Sequence, residues 1–101
     1  MERYTAHGID EVGRFVLHGD LRRKLGVEES GKVSLLIVDT IVIMRRMDGE
    51  PEQGCIVSSV NDIGMVDLPK ELREKLGWQV KDKLAAYSTD NLVILKLAEK
   101  N

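Results

Sequence analysis

Displaced by 51 positions, the chain repeats itself without a gap. Gly13 falls on Gly64, Leu17 on Leu68, Leu21 on Leu72, Arg22 on Arg73, Lys24 on Lys75, Leu25 on Leu76 and Gly26 on Gly77. The register continues through Lys32 on Lys83, Asp39 on Asp90, Val42 on Val93 and Ile43 on Ile94. An ungapped match over that span marks an internal duplication, and two copies are too few for a solenoid. One body with pseudo-twofold symmetry is the expectation, copy one over residues 1–50 and copy two over residues 51–101. In a chain of 101 residues each copy alone would bury a marginal core, so the two are expected to share one.

Both copies read as strand, turn, strand, short helix and hairpin. In copy one a β-tolerant stretch, Tyr4 to Ile9, reaches the turn formers Asp10-Glu11-Val12-Gly13, and a strand is expected over Arg14–Leu17. Leu21 and Leu25 then stand at the i, i+4 spacing of a short amphipathic helix stopped by Gly26. Copy two repeats this with Leu72, Leu76 and Gly77, and Pro69 suits its first helical turn. Apolar runs at Val33–Val38 and Ile41–Met44, joined at Asp39-Thr40, predict a hairpin. A second is predicted from Leu84–Tyr87 and Leu92–Leu95, joined across Ser88 to Asn91. The runs are continuously apolar, which predicts strands covered on both faces. Residues 48–54 are the only linker, rich in turn formers and acid. The fold class expected is mostly β with short helices, two β-β-α-β-β repeats closing a small barrel whose edges pair with the opposite copy.

No stretch is long and apolar enough to cross a membrane, and the N-terminus has no signal-like apolar region. The single cysteine, Cys55, fits a reducing cytosol. Net charge is −2 and divides evenly between the copies, so a nucleic-acid partner requires the basic groups to be sorted onto one surface. With two histidines and one cysteine, a convergent metal or catalytic set is not expected, nor is a cofactor or an enzyme. Trp78 aligns with Val27 behind the helix glycine, where an apolar plug fits better than a base-stacking platform. Arg45-Arg46 is either a second basic patch or a charged strand end that blocks edge pairing.

These residues resemble the SpoVT/AbrB-type, MazE-like swapped-hairpin domain. Its signature is similar to Ile9-Asp10, Gly13-Arg14, Leu17, Leu21-Arg22 and Leu25-Gly26 in copy one, and to Val60, Gly64, Leu68-Pro69, Leu72-Arg73 and Leu76-Gly77 in copy two. The resemblance covers nearly the whole chain. Family members usually exchange hairpins between two chains to build one barrel; here the tandem copies could supply both halves, or two chains could associate. It implies a prokaryotic, cytoplasmic, nucleoid-associated transcription regulator that binds double-stranded DNA in a sequence-specific way. Arg14 matches the arginine after the turn glycine, and Arg22 with Arg23 match a helical arginine pair. His7 stands where some members carry another basic residue, His18 stands where proline is expected, and Lys24 and Arg73 complete the candidate DNA-binding set.

Copy two departs from this pattern with Met65 for Arg14, Glu74 for Arg23 and Asn61 for Asp10, and neither copy keeps the Gly-Asp pair before its hairpin. Copy one is therefore expected to hold most DNA contacts while copy two mostly completes the barrel. Two alternatives stand beside this reading. One is a structural or protein-interaction barrel without DNA binding. The other is the DNA-binding part of an antitoxin, against which the final strand, Leu92 to Leu97, leaves only four residues for a toxin-binding tail.

Overall fold

The computed structural model describes residues 2–98. Copy one contributes β1 (Glu2–Gly8), β2 (Arg14–Val16), α1 (Gly19–Leu25), β3 (Gly31–Val38) and β4 (Ile41–Arg46). Copy two contributes β5 (Ile56–Val60), β6 (Met65–Asp67), α2 (Lys70–Leu76), β7 (Lys83–Thr89) and β8 (Leu92–Leu97). The eight strands form one antiparallel sheet that curls into a half-barrel, in the order β1-β7-β8-β4-β3-β5-β6-β2.

Under the 51-residue offset the run β1-β7-β8-β4-β3-β5 maps onto itself in reverse and the register obeys it, while β6 and β2 follow β5 at one end alone. His7 pairs with Leu84 and its counterpart Ser58 pairs with Val33. Phe15 pairs with its own counterpart Val66, and Ile43 with its own counterpart Ile94. The first strand of each copy therefore lies against the hairpin of the other, and the two copies meet through β2 against β6 and β4 against β8. Backbone hydrogen bonds cross reciprocally as well, from Leu17 N to Gly64 O at 2.8 Å and from Leu68 N to Gly13 O at 3.0 Å. No hydrophobic interior belongs to either copy alone. Phe15, Leu17, Leu21, Leu35, Met44, Leu68, Leu72, Leu84 and Leu95 form one buried cluster.

Each helix is short and owes its ends to local chemistry. Gly26 and Gly77 take the left-handed conformation, φ 77° and 70°, at the C-termini of α1 and α2. The N–H of Val27 reaches Arg22 O at 2.9 Å, and that of Trp78 reaches Arg73 O at 2.9 Å, closing the last turn of each helix. The residue after each glycine is thereby turned into the core, and both Val27 and Trp78 are buried there.

Two expectations need correction. The hairpin strands of copy one are not covered on both faces: β3 and β4 alternate, with Val33, Leu35, Val42 and Met44 buried while Leu36, Ile37, Ile41 and Ile43 are half-buried, whereas β7 buries Leu84, Ala85 and Ala86 in succession. A single curled sheet has one inner face, and continuous apolar character overstates what it can enclose. The loop of the second hairpin is also shorter than expected: Thr89 pairs with Leu92, so Asp90-Asn91 alone makes the turn, with Asp90 in the left-handed region as its counterpart Asp39 is.

Candidate nucleic-acid interface

The turn that opens copy one is rigid. Asp10 Oδ1 accepts from the Val12 N–H at 3.1 Å and the Arg14 N–H at 2.7 Å, and Gly13 takes φ 84° to close the turn. Asp10 Oδ2 holds the Arg14 guanidinium through Nε at 3.1 Å. These bonds, the backbone N–H of Arg14 first, hold the Asp10 carboxyl below its ordinary value despite some opposing desolvation. Arg14 keeps 41% of its side chain exposed, so it is both fixed and accessible. Copy two builds the same turn with Asn61, whose Oδ1 accepts from Ile63 and Met65, but the position after its glycine carries no charge.

The helical arginine pair divides. Arg23 is exposed and bridges Asp20 one turn back. Arg22, expected from the helical wheel to reach solvent, is half-buried: its guanidinium lies against Gly64 of the other copy, and its Nη1 donates to Glu28 O at 3.1 Å. Arg73 repeats this placement, lying against Gly13 and donating from Nε to Leu68 O at 2.8 Å. The arginines that both copies keep are thus packing elements between copies. Lys24 Nζ donates to Ser88 Oγ at 3.2 Å and lies 5.6 Å from the Tyr4 ring.

His7 on β1 and His18 at the start of α1 meet directly, Nε2 to Nε2 at 3.0 Å. Partial burial, then the neighbouring His18, lowers the His7 pKa below its ordinary value. His18 has φ −59° and ψ 149°, and its counterpart Pro69 has φ −56° and ψ 148°. The backbone that proline presets is therefore kept where histidine replaces it.

Arg45 and Arg46, at the end of β4, join the site. With Arg23, Lys24, Asp48 and Asn91 they line an open cleft of about 530 Å³ at the C-terminal end of α1. Arg46 lies 3.0 Å from the position a Cβ on Gly26 would take, and bonds Asp48 at 3.1 Å. The signal was in the sequence as an adjacent basic pair, but only the sheet register brings it beside α1. Arg14, Arg23, Lys24, Arg45 and Arg46 all belong to copy one; their counterparts are Met65, Glu74, Lys75, Lys96 and Leu97. Copy one carries six arginines and copy two only Arg73, an imbalance that the even division of charge hides.

Comparison of the chain with models of known protein families, with curated proteins and with solved structures finds no match.

Proposed function

We propose that the chain is a double-stranded DNA-binding regulator of the AbrB type, built as a swapped-hairpin barrel in which both halves come from one chain. The observation that carries the reading is the uneven placing of arginine: copy one carries Arg14, Arg23, Arg45 and Arg46 where the symmetric positions hold Met65, Glu74, Lys96 and Leu97, and three of the four meet at the cleft beside α1. Guanidinium groups make forked bonds to phosphates and to guanine edges, and Arg14 is set on a turn stiff enough to hold its direction. A duplex is served by such a face because phosphate contacts position the protein and a few oriented side chains read bases. The intrachain pseudo-twofold does not repeat the basic face. Two chains associating through their copy-one halves would restore the symmetry that palindromic operators favour.

One observation favours the second reading, a protein-interaction barrel without DNA binding. Asp10, Asp20 and Asp48 already partner Arg14, Arg23 and Arg46. Binding to mixed double-stranded genomic fragments, followed as salt is raised, separates the two. Five phosphate contacts give a log–log slope of about −4.5, and three give about −2.7. Absence of binding at low salt refutes the regulator reading.

A further inference from the structure

We propose that His7 and His18 form a two-histidine chelate for a late first-row divalent cation, Cu²⁺ or Ni²⁺ before Zn²⁺, placed across the seam where the two ends of the sheet meet. The inference is independent of the DNA-binding reading. It also departs from the expectation of no metal, which rested on the lack of a larger convergent set. Among the described residues no group of three or more such ligands gathers, so water completes the coordination.

The geometry of the pair favours the chelate. Two nitrogens 3.0 Å apart subtend about 94° at a metal bound at about 2.05 Å. That is the angle between adjacent positions of a square-planar or octahedral ion, the preference of Cu²⁺ and Ni²⁺. Tetrahedral zinc needs the nitrogens to part to about 3.3 Å. With both rings directed at one such ion their centroids fall about 4.7 Å apart; they stand 4.8 Å apart with planes at 53°. A head-on nitrogen-to-nitrogen contact would hold the rings farther apart, so they lean together as a chelate requires.

The position of the pair gives the chelate a consequence. β1 and β2 are the two outermost strands of the sheet order, and among the described residues no ladder pairs them. At the equivalent seam of copy two, β5 and β6 are joined by Val60 pairing with Val66 and by the Ser58 hydroxyl donating to Asp67 O. The counterparts of His7 and His18 there are Ser58 and Pro69. The Asp10 N–H bonds Arg14 O at 2.9 Å as the Asn61 N–H bonds Met65 O at 3.0 Å, and beyond that shared bond copy one joins its seam with two imidazoles where copy two uses a strand pair and a hydroxyl. A metal replacing the single His7–His18 hydrogen bond staples β1 to the strand-to-helix corner, with Tyr4 and Phe15 flanking the rings.

The test is calorimetric titration of the full, untagged chain with NiCl₂ and ZnCl₂, Ni²⁺, unlike Cu²⁺, being inert to reduction by the Cys55 thiol. The wild type is compared with His7→Ser, His18→Pro and the double variant. These substitutions copy the residues of the other seam, and the proline fits a backbone already at φ −59°. Expected are one Ni²⁺ per chain, bound more tightly than Zn²⁺, at least a tenfold loss of affinity in each single variant, and loss of affinity below pH 6. At about ten times Kd, Ni²⁺ raises the wild-type Tm by about 5–10 °C and the double variant not at all. Paramagnetic broadening of the His7 and His18 ring signals in the wild type reads the same site without any variant. Absence of saturable binding, binding unchanged in the double variant, or broadening centred elsewhere overturns the proposal.

Discussion

The guanidinium of Arg22 on α1 lies against Gly64, in the opening turn of the other copy, and Arg73 on α2 lies against Gly13 in return. A Cβ on Gly64 would stand 3.0 Å from Arg22 Cζ and 3.1 Å from the Leu17 carbonyl; one on Gly13 would stand 2.8 Å from Arg73 Cζ. Both glycines also take left-handed φ, 88° and 84°. Gly64→Ala therefore faces a conformational cost of about 1–2 kcal/mol together with a clash against backbone that cannot swing away. A total loss above about 2 kcal/mol is expected in denaturant melts. Gly77→Ala shares the positive φ, at 70°, but meets nothing within 4 Å. It should lose only the conformational part, about 1–2 kcal/mol. Equal losses at Gly64 and Gly77 would show that the cross-copy contact contributes nothing.

Asp10 does two separable things: its Oδ1 shapes the turn, and its charge holds Arg14. Because its pKa is depressed in the folded protein, chiefly by the Arg14 N–H, the carboxylate contributes stability above the unfolded value of 3.8. That contribution is lost as pH falls below 3.8 through the lower folded value. Asp10→Asn keeps an oxygen for both N–H groups, as Asn61 does in copy two. It should lose near pH 7 the part that the charge supplies, and flatten the dependence of stability on pH below about 4, whereas Asp10→Ala should be less stable at every pH.

What the sequence made legible was whatever the duplication repeats. Elements, boundaries, helix-stopping glycines and the buried roles of Val27 and Trp78 follow from local chemistry written twice. Arg22 was misplaced because a helical wheel reports direction about one axis, and the turn that covers it comes from residues 42 positions away. The His7–His18 contact was invisible for the same reason: neither residue has a periodic partner, and only closure of the sheet brings β1 to the corner after β2. Arg45 and Arg46 were visible as a basic pair, but their place beside α1 depends on how β4 runs against β8.

Lys81 occupies a left-handed position, φ 76°, while its N–H bonds Ile9 O at 2.7 Å. An L-residue there costs about 1–2 kcal/mol. Glycine removes that strain but adds up to about 1 kcal/mol of unfolded-chain entropy to be lost on folding. Lys81→Gly should therefore be more stable by about 0.5–1 kcal/mol in chemical denaturation. A destabilised variant would mean that the lysine side chain supplies more than its backbone costs.

His7 gives the protein a second pH response, of opposite chemistry to that of Asp10. Desolvation, then the neighbouring His18, lowers its folded pKa below 6.5, so in the window beneath 6.5 the unfolded chain binds more protons than the folded one. Stability therefore rises with pH through that window and is fully present above it. His7→Ser should flatten the dependence of Tm on pH between about 5 and 6.5, leaving the acid response of Asp10 in place. A wild-type Tm that is level across this window refutes the assignment.

Arg22 and Arg23 are adjacent in sequence but predict opposite phenotypes. Arg23 is exposed and, among the described residues, is tied only to Asp20, so Arg23→Ala should change stability by less than about 0.5 kcal/mol. If its guanidinium meets a phosphate, the same substitution lowers the magnitude of the salt slope of DNA binding by about 0.9. Arg22→Ala removes a half-buried side chain that fills the space over Gly64 and bonds Glu28 O. It should cost about 1–3 kcal/mol of stability. Compared well below their melting temperatures, its salt slope should match that of the wild type. A variant that loses slope at Arg22 and stability at Arg23 would reverse the roles, and would place the DNA face on the side of α1 that packs against copy two.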